Sequence, residues 1–228
     1  LLLVDLLCLV LDLGDPLRFH HMLRVFKPRS PMSVGVWCLT IFSLPLTAAA
    51  ALSLLSQMGM GFEWARKLAV ILGLPLGFAS AAYKGVLLST NAQPGWKDAR
   101  WMGGYLTNSA LVLGCAELLT VSVVMGEARA AAMLRVALIA LIAVNVIPLA
   151  LLYANLRPTL AIYFTRRQRQ RVGGLILAAG TLVPLGLLLA GSGASLTFAA
   201  VISFLLGSLT IRLVYVKIPH TGVVGKPT

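Results

Sequence analysis

Three ionisable side chains, Asp5, Lys84 and Glu117, interrupt stretches of sequence that are otherwise apolar. A charge held in hydrocarbon is costly unless it is paired, so such residues are candidates for function by default. Asp5 and Lys84 are expected at comparable depth from one end of their stretches, and we hypothesise that they pair. Glu117 and Asn145 lie near the middle of theirs, which suggests a proton path. A protonated Glu117 bonded to Asn145 for structural reasons alone fits the sequence equally.

The composition explains why these residues stand out. Hydrophobic residues make up 59% of the 228 residues and charged residues only 11%, whereas a soluble domain holds about 45–50% apolar and about 25% charged residues. The apolar runs are about 20 residues long, the length that a helix needs to cross a hydrocarbon layer of about 30 Å. Since lipid offers the backbone no hydrogen-bond partner, these runs predict membrane-spanning helices.

The apolar runs predict an all-α, polytopic transmembrane bundle that forms one integral-membrane domain over residues 1–228. It has a partial N-terminal span and six full ones, near residues 1–13, 33–56, 68–90, 104–125, 133–155, 172–191 and 195–217. Because the chain opens inside an apolar run and without Met, we expect it to be truncated at the N-terminus and to lack a preceding segment.

Two details of the spans constrain their packing. The last two are joined only by residues 192–194, which predicts a tight antiparallel hairpin. Gly73, Gly77 and Ala81 are spaced by four, so they share one helix face on which another helix can approach closely.

The basic residues bear on orientation. The chain has 19 Lys and Arg residues and a net charge of +12, but these residues lie almost wholly between the apolar runs, which argues for contact with lipid head groups and against nucleic-acid binding. Most lie on one set of alternate segments, namely the predicted loops 14–32, 91–103 and 156–171 and the C-terminal end with Arg212, Lys217 and Lys226. The positive-inside tendency predicts that this face is cytoplasmic. A basic surface also suits an acidic partner subunit.

The segment between the partial span and the first full one has a distinctive pattern, D-L-G-D-P-L-R-F-H-H-M-L-R-V-F-K-P-R-S-P-M-S from Asp12 to Ser33. A glycine and a proline favour a turn and the start of a short helix, and polar residues then recur at intervals of three. The residues that shape it are Asp12, Gly14, Pro16, Arg18, His21 and Arg24. We predict an amphipathic interfacial segment over residues 14–32. A basic helix that merely anchors the loop fits the spacing as well.

This segment resembles the signature of the NrfD/PsrC family, the membrane subunits of polysulphide-reductase type. A second stretch, from Gly73 to Thr90, reads G-L-P-L-G-F-A-S-A-A-Y-K-G-V-L-L-S-T and is similar to the fourth span of that family. Between Gln93 and Leu111, Q-P-G-W-K-D-A-R-W and Y-L-T-N-S-A-L also look like the family. The resemblance follows the span order over nearly the whole chain.

The resemblance implies an eight-span architecture, of which this chain lacks the first helix. It implies a membrane subunit that exchanges electrons and protons with menaquinone or ubiquinone and passes the electrons to a ferredoxin-like iron–sulfur subunit. That subunit is commonly joined to a molybdopterin catalytic subunit. Such a protein is not catalytic alone, holds no haem or iron–sulfur cluster itself, and spans the cytoplasmic (inner) membrane of a bacterium or archaeon.

The resemblance also assigns roles to residues. A tyrosine is among the quinone ligands of the family, and Tyr83 takes that role here, although Lys84 stands where threonine is more usual. We predict a quinone site that comprises Tyr83, Asp5, Lys84, Asn108 and His21, with His21 as a proton relay. Simpler roles stay open, since Tyr83 suits an interfacial aromatic belt and Asn108 suits a hydrogen bond between helices.

Other chemistries find little support in the sequence. His20, His21 and His220 lie in loops or at an end, where they cannot hold a haem inside the bundle, and no Cys or His set suits a metal. No phosphate loop or nucleophile elbow supports a hydrolase or an ATP-driven pump. Two alternatives remain: a secondary transporter or ion-translocating protein that uses Asp5, Lys84 and Glu117, and a structural membrane anchor without a quinone site.

Overall fold

The computed structural model describes Leu11, Arg24, residues 26–89 and residues 95–220. The regular secondary structure of these residues is helical, with turns and short irregular segments between the helices, and no strand occurs among them. The chain divides into two compact units, Leu1–Leu87 and Leu88–Thr228. The described part holds six helical segments that are long and apolar enough to cross a membrane. This confirms the predicted all-α, multi-pass membrane fold.

The N-terminal unit contains two long helices, α1 (Pro31–Gln57) and α2 (Glu63–Ser89). Helix α1 begins at a capped turn, in which the Ser30 side chain accepts a hydrogen bond from the Ser33 backbone N–H and Pro31 occupies the first turn. Both features are favourable at a helix start because the first N–H groups have no partner within the helix.

The small-residue face predicted on α2 packs against α1. A Cβ atom added at Gly77 would lie 3.2 Å from the Phe42 ring, and one added at Gly73 would lie 3.7 Å from Pro45. The absent side chains therefore let the two helices approach closely, as in other membrane proteins with small residues at helix interfaces.

The C-terminal unit begins with α3 and α4 and continues through a bent helix into a hairpin. Its elements are α3 (Met102–Val124), α4 (Ala128–Tyr163), α5 (Arg166–Leu177), a π-helical segment (Ala178–Leu182), α6 (Val183–Ala190), α7 (Ala194–Lys217) and a 3₁₀ turn (Ile218–His220). Only residues 191–193 join α6 to α7, which confirms the predicted tight hairpin.

The predicted loop at residues 156–171 is wrong. Helix α4 continues through Arg157 and Pro158 to Tyr163, and α5 begins at Arg166. The start of α5 is fixed by a capping box, in which the Thr165 side chain accepts from the Gln168 backbone N–H and the Gln168 side chain accepts from the Thr165 backbone N–H. Hydropathy marks only the part of a helix that crosses lipid, so it cannot show that helices extend beyond the membrane boundary.

The π-helical segment lies where α7 crosses the bent helix. Its extra residue per turn frees a backbone carbonyl, and the Ser203 hydroxyl of α7 donates a hydrogen bond of 2.9 Å to the Ala179 carbonyl oxygen. The backbones of Gly180 and Gly207 meet at this crossing. Side-chain and small-residue partners of this kind let a helix with an irregular turn remain buried in lipid.

Candidate functional site

Several residues predicted for the site or its loop lie outside the described residues: Asp5, Asp12, Gly14, Pro16, Arg18 and His21. The pairing of Asp5 with Lys84 and the relay role of His21 therefore stay predictions. Arg24 is described, and it is helical and exposed.

Tyr83 lies on α2 with its ring packed directly over Gly35 of α1. A Cβ atom at Gly35 would overlap three carbon atoms of the Tyr83 ring. Tyr83 and Lys84 are both half-buried. The missing side chain at Gly35 thus provides the space in which the Tyr83 ring is held, and this arrangement fixes the direction of the phenol relative to α1.

Asn108 and Asn145 join α3 to α4. The Asn108 side-chain amide donates a hydrogen bond of 2.9 Å to the Asn145 side-chain oxygen and a longer one of 3.4 Å to the Leu141 carbonyl oxygen. Asn145 is 2% exposed, so this pair lies within the C-terminal unit. Asn108 therefore makes the interhelical bond that was the simpler of its two expected roles.

The predicted association of Glu117 with Asn145 is not formed. Glu117 is exposed on the outer surface of α3, whereas Asn145 is buried and bonded to Asn108. Glu117 is nine residues after Asn108, which is about 13 Å along the helix, so one side chain of α4 cannot meet both. The structure brings together Asn108 and Asn145, and it leaves Glu117 apart from them.

A second polar group lies next to Asn108 and is here called the Arg212 cluster. It is formed by Tyr105 and Ser109 of α3 and by Ser208 and Arg212 of α7. Its hydroxyl pair is Ser109 and Ser208, whose side-chain oxygens are 3.2 Å apart. The Arg212 guanidinium donates to both, at 3.0 Å to Ser208 and 3.2 Å to Ser109. The Tyr105 phenol lies within interaction range of all three.

The burial of the Arg212 cluster is uneven. Tyr105, Ser109 and Ser208 are each at most 2% exposed, whereas Arg212 is half-buried and reaches the surface of the bundle. No carboxylate among the described residues forms an ion pair with Arg212, and its hydrogen-bond partners among them are neutral hydroxyls. A guanidinium has five N–H donors, so Arg212 can also donate to an acceptor that approaches from its exposed side.

The segment before α3 holds this end of the unit together. The Thr159 hydroxyl of α4 donates a hydrogen bond of 2.6 Å to the Asp98 carboxylate. The Trp96 indole N–H donates to the Tyr215 carbonyl oxygen at 3.1 Å, and the two rings stack with centroids 6.0 Å apart. These contacts fix residues 95–101 to α4 and α7 beside the Arg212 cluster.

Sequence reasoning missed Ser109, Ser208 and Arg212. A signal was present, since Tyr105 and Ser109, and also Ser208 and Arg212, are four residues apart and share a helix face. Arg212 was instead counted among the basic residues that orient the chain. Within the described part of the chain, no group of three or more His, Cys, Asp or Glu residues could hold a metal ion.

The comparisons with known proteins give one match. A family model described as polysulfide reductase matches residues 1–224. The searches of curated proteins and of solved structures gave no match.

Proposed function

The chain belongs to the NrfD-type polysulfide reductase family and is a membrane subunit of a redox complex, and we propose that it binds the quinone or quinol that this complex uses. Electrons would pass between the lipid-soluble quinone pool and a ferredoxin-like iron–sulfur partner, with a molybdopterin protein as the expected catalytic subunit. The expected location is a bacterial or archaeal cytoplasmic membrane.

The observation that carries this proposal is the Arg212 cluster. Arg212 lies in the last turns of α7, and the residues it bonds lie in the first turns of α3 and in α7, within helices whose residues are mainly apolar. Among the described residues this positive charge is bonded only to neutral hydroxyls, which compensate it poorly in such surroundings. An oxygen-bearing ligand that gains negative charge during its reaction would compensate it.

A quinone has these properties. Its ring and tail need apolar walls, and its carbonyl oxygens need hydrogen-bond donors. Reduction adds two electrons and two protons, so a donor that is positively charged stabilises the oxygen on which charge develops. In this chain Arg212 would supply that donor. Ser109 and Ser208 hold the guanidinium in place, and Tyr105 covers the buried side of the cluster.

The test uses membranes that carry the assembled complex and compares Arg212→Gln with Arg212→Lys and with Arg167→Gln. Arg167 is an exposed arginine of α5 and serves as the matched control. Loss of a hydrogen bond from a charged group costs about 1.5–3 kcal/mol, so Arg212→Gln should slow quinol-dependent electron transfer about 10- to 150-fold. Arg212→Lys should keep part of the rate, and Arg167→Gln should keep nearly all of it.

A second assay separates quinone binding from assembly. Electron transfer from a water-soluble dye to the partner subunits bypasses the membrane subunit, so it should be unchanged in every variant. If Arg212→Gln keeps both the quinol-dependent rate and the affinity for a quinone-analogue inhibitor, then the Arg212 cluster does not bind the quinone.

A further inference from the structure

A cavity of ≈ 550 Å³ opens at the end of the C-terminal unit that lies opposite the Arg212 cluster. It is bounded by the last turns of α3, the first turns of α4, and the α6–α7 hairpin. Its walls are mainly apolar, with Leu119, Val123, Ile139 and Leu189 among them, and its polar side includes Arg135 and Ser192. Arg135 is the single charged residue among the described residues of the lining.

Arg135 is held in a fixed position by a helix end. Its Nε atom donates to the Leu188 carbonyl oxygen at 2.8 Å, and its Nη2 atom donates to the same oxygen. Leu188 lies in the last turn of α6, where carbonyl groups have no partner within the helix and the helix dipole is negative. Among the described residues Nη1 has no hydrogen-bond partner, so one edge of the guanidinium is left for a ligand.

The position of Arg135 matches the boundary of the hydrocarbon layer. Residues 136–156 of α4 contain no charged side chain, and Arg135 and Arg157 flank this stretch. These 21 residues rise through roughly 31 Å at about 1.5 Å each, which equals the thickness of the hydrocarbon core at about 30 Å. We therefore expect Arg135 at the depth of lipid phosphate groups, and Val136 and Ile139 at the depth of the first acyl carbons.

We propose that this cavity is a binding site for an anionic phospholipid, whose phosphate accepts hydrogen bonds from Arg135 and whose acyl chain begins along the apolar wall. Three properties select this occupant: one positive charge in the lining that no carboxylate of the described residues pairs with, apolar walls on the side toward the bilayer centre, and a position at the membrane boundary. Guanidinium and phosphate form strong charge-assisted hydrogen bonds. Ser192 is exposed in the hairpin and lies in the same lining, so it adds a neutral donor for the head group.

The bound lipid would strengthen the contact between α4 and the α6–α7 hairpin, which is sparse compared with the contact between α4 and α3. Arg135 links α4 to the end of α6, and the lipid would extend that link to α3 and to the α6–α7 hairpin. A ligand that binds the folded state and not the unfolded state raises the free energy of unfolding by an amount that grows with the logarithm of the ligand concentration once this exceeds the Kd. The lipid should therefore raise the temperature at which the protein unfolds.

The experiment uses the full chain in its complex, extracted in a neutral detergent and depleted of lipid. Phosphatidylglycerol, phosphatidylcholine and soluble glycerol phosphate are added separately, and bound lipid is measured by native mass spectrometry together with the unfolding temperature. We expect phosphatidylglycerol to bind and to raise the unfolding temperature of the wild-type protein. Phosphatidylcholine and glycerol phosphate should do neither at the same concentration.

Three variants locate the site. Arg135→Gln should weaken binding of phosphatidylglycerol about tenfold or more because a charged hydrogen bond is lost. Arg129→Gln, at an exposed arginine two turns earlier on the same helix that does not line the cavity, should leave binding unchanged. Ala132→Trp places a large side chain in the cavity and leaves the Arg135 side chain present, so it should block binding even if Arg135→Gln does not fold.

Each outcome of these binding measurements either supports the proposed lipid site or contradicts it. Loss of binding in Ala132→Trp, with binding retained in Arg129→Gln, supports the site. Equal binding of phosphatidylglycerol by the wild type, Arg135→Gln and Ala132→Trp overturns it. Equal binding of phosphatidylcholine overturns the role of the charge, and displacement of bound lipid by a quinone analogue at this cavity would assign the cavity to the quinone instead. None of these outcomes depends on the role proposed for Arg212.

Discussion

Gly180 of the π-helical segment and Gly207 of α7 bring two backbones together at a single crossing. A Cβ atom at Gly207 would overlap the Cα and N atoms of Gly180, whereas a Cβ atom at Gly180 would lie 3.6 Å from the Gly207 Cα atom, an ordinary van der Waals distance. The contact is therefore asymmetric. A side chain at Gly207 would clash with the backbone of Gly180, whereas a methyl group at Gly180 would fit.

This asymmetry gives the first prediction. Gly207→Ala should destabilise the protein by about 1–3 kcal/mol, since overpacking against backbone cannot be relieved by a change of rotamer. Gly180→Ala is the matched control and should change stability by less than about 1 kcal/mol. Thermal unfolding of the purified protein in detergent measures both. Equal destabilisation by the two substitutions would show that the helices do not cross as described.

The second prediction concerns the hydrogen bond between Asn108 and Asn145. Asn108→Ala and Asn145→Ala should each destabilise the protein, and the double variant should cost less than the sum of the two, because both single variants remove the same bond. The expected coupling energy is about 0.6–2 kcal/mol, the range found for polar contacts between membrane helices. A double-mutant cycle on thermal or denaturant unfolding gives this energy, and strictly additive effects would contradict the bond.

The third prediction separates packing from chemistry at Tyr83. Tyr83→Phe keeps the ring over Gly35, so stability should change by no more than about 1 kcal/mol. If the phenol donates to a quinone, the same variant should slow quinol oxidation up to about tenfold. Gly35→Ala should lower both stability and rate because the new methyl group displaces the ring. A Tyr83→Phe variant with a wild-type rate would remove Tyr83 from the quinone site.

The fourth prediction concerns the bond that ties residues 95–101 to α4. Thr159→Val keeps the shape of the side chain but removes the hydroxyl that donates to Asp98, and this should cost about 1.5–3 kcal/mol, as expected for a hydrogen bond to a charged group. Thr159→Ser keeps the hydroxyl and is the control. Unfolding temperature and protease susceptibility near Asp98 report the change. If the two variants are equally stable, the bond contributes nothing to the fold.

The sequence predicted the spans of this protein well and their ends less well. Helix α1 lies within two residues of its predicted bounds, whereas α2 begins at Glu63 instead of residue 68. The extra turn of α2 has a physical cause, since Glu63 is favourable at a helix N-terminus and forms an ion pair with Arg66 at 2.7 Å. Such polar turns lie outside the apolar run, so a hydropathy profile of the sequence does not show them.

The candidate site was predicted less completely. Tyr83, Lys84, Asn108 and Asn145 were singled out, but the sequence could not show that Asn145 meets Asn108 and not Glu117. It gave no reason to connect Ser109 with Arg212, which are 103 residues apart. In a soluble helix the apolar stripe shows which face is buried. These spans are mainly apolar on all sides, so apart from small-residue faces such as that of α2 their sequences do not show which face packs against a neighbour.

The sequence by itself determined that this chain is a multi-pass helical membrane protein, because a backbone in lipid must satisfy its hydrogen bonds within each helix. That condition is local and can be read along the chain. Only the tertiary structure decided which polar residues meet: Asn108 with Asn145, Ser109 and Ser208 with Arg212, and Arg135 with the end of α6. These contacts depend on the rotation and depth of each helix relative to its neighbours. Packing between small residues and polar side chains fixes both.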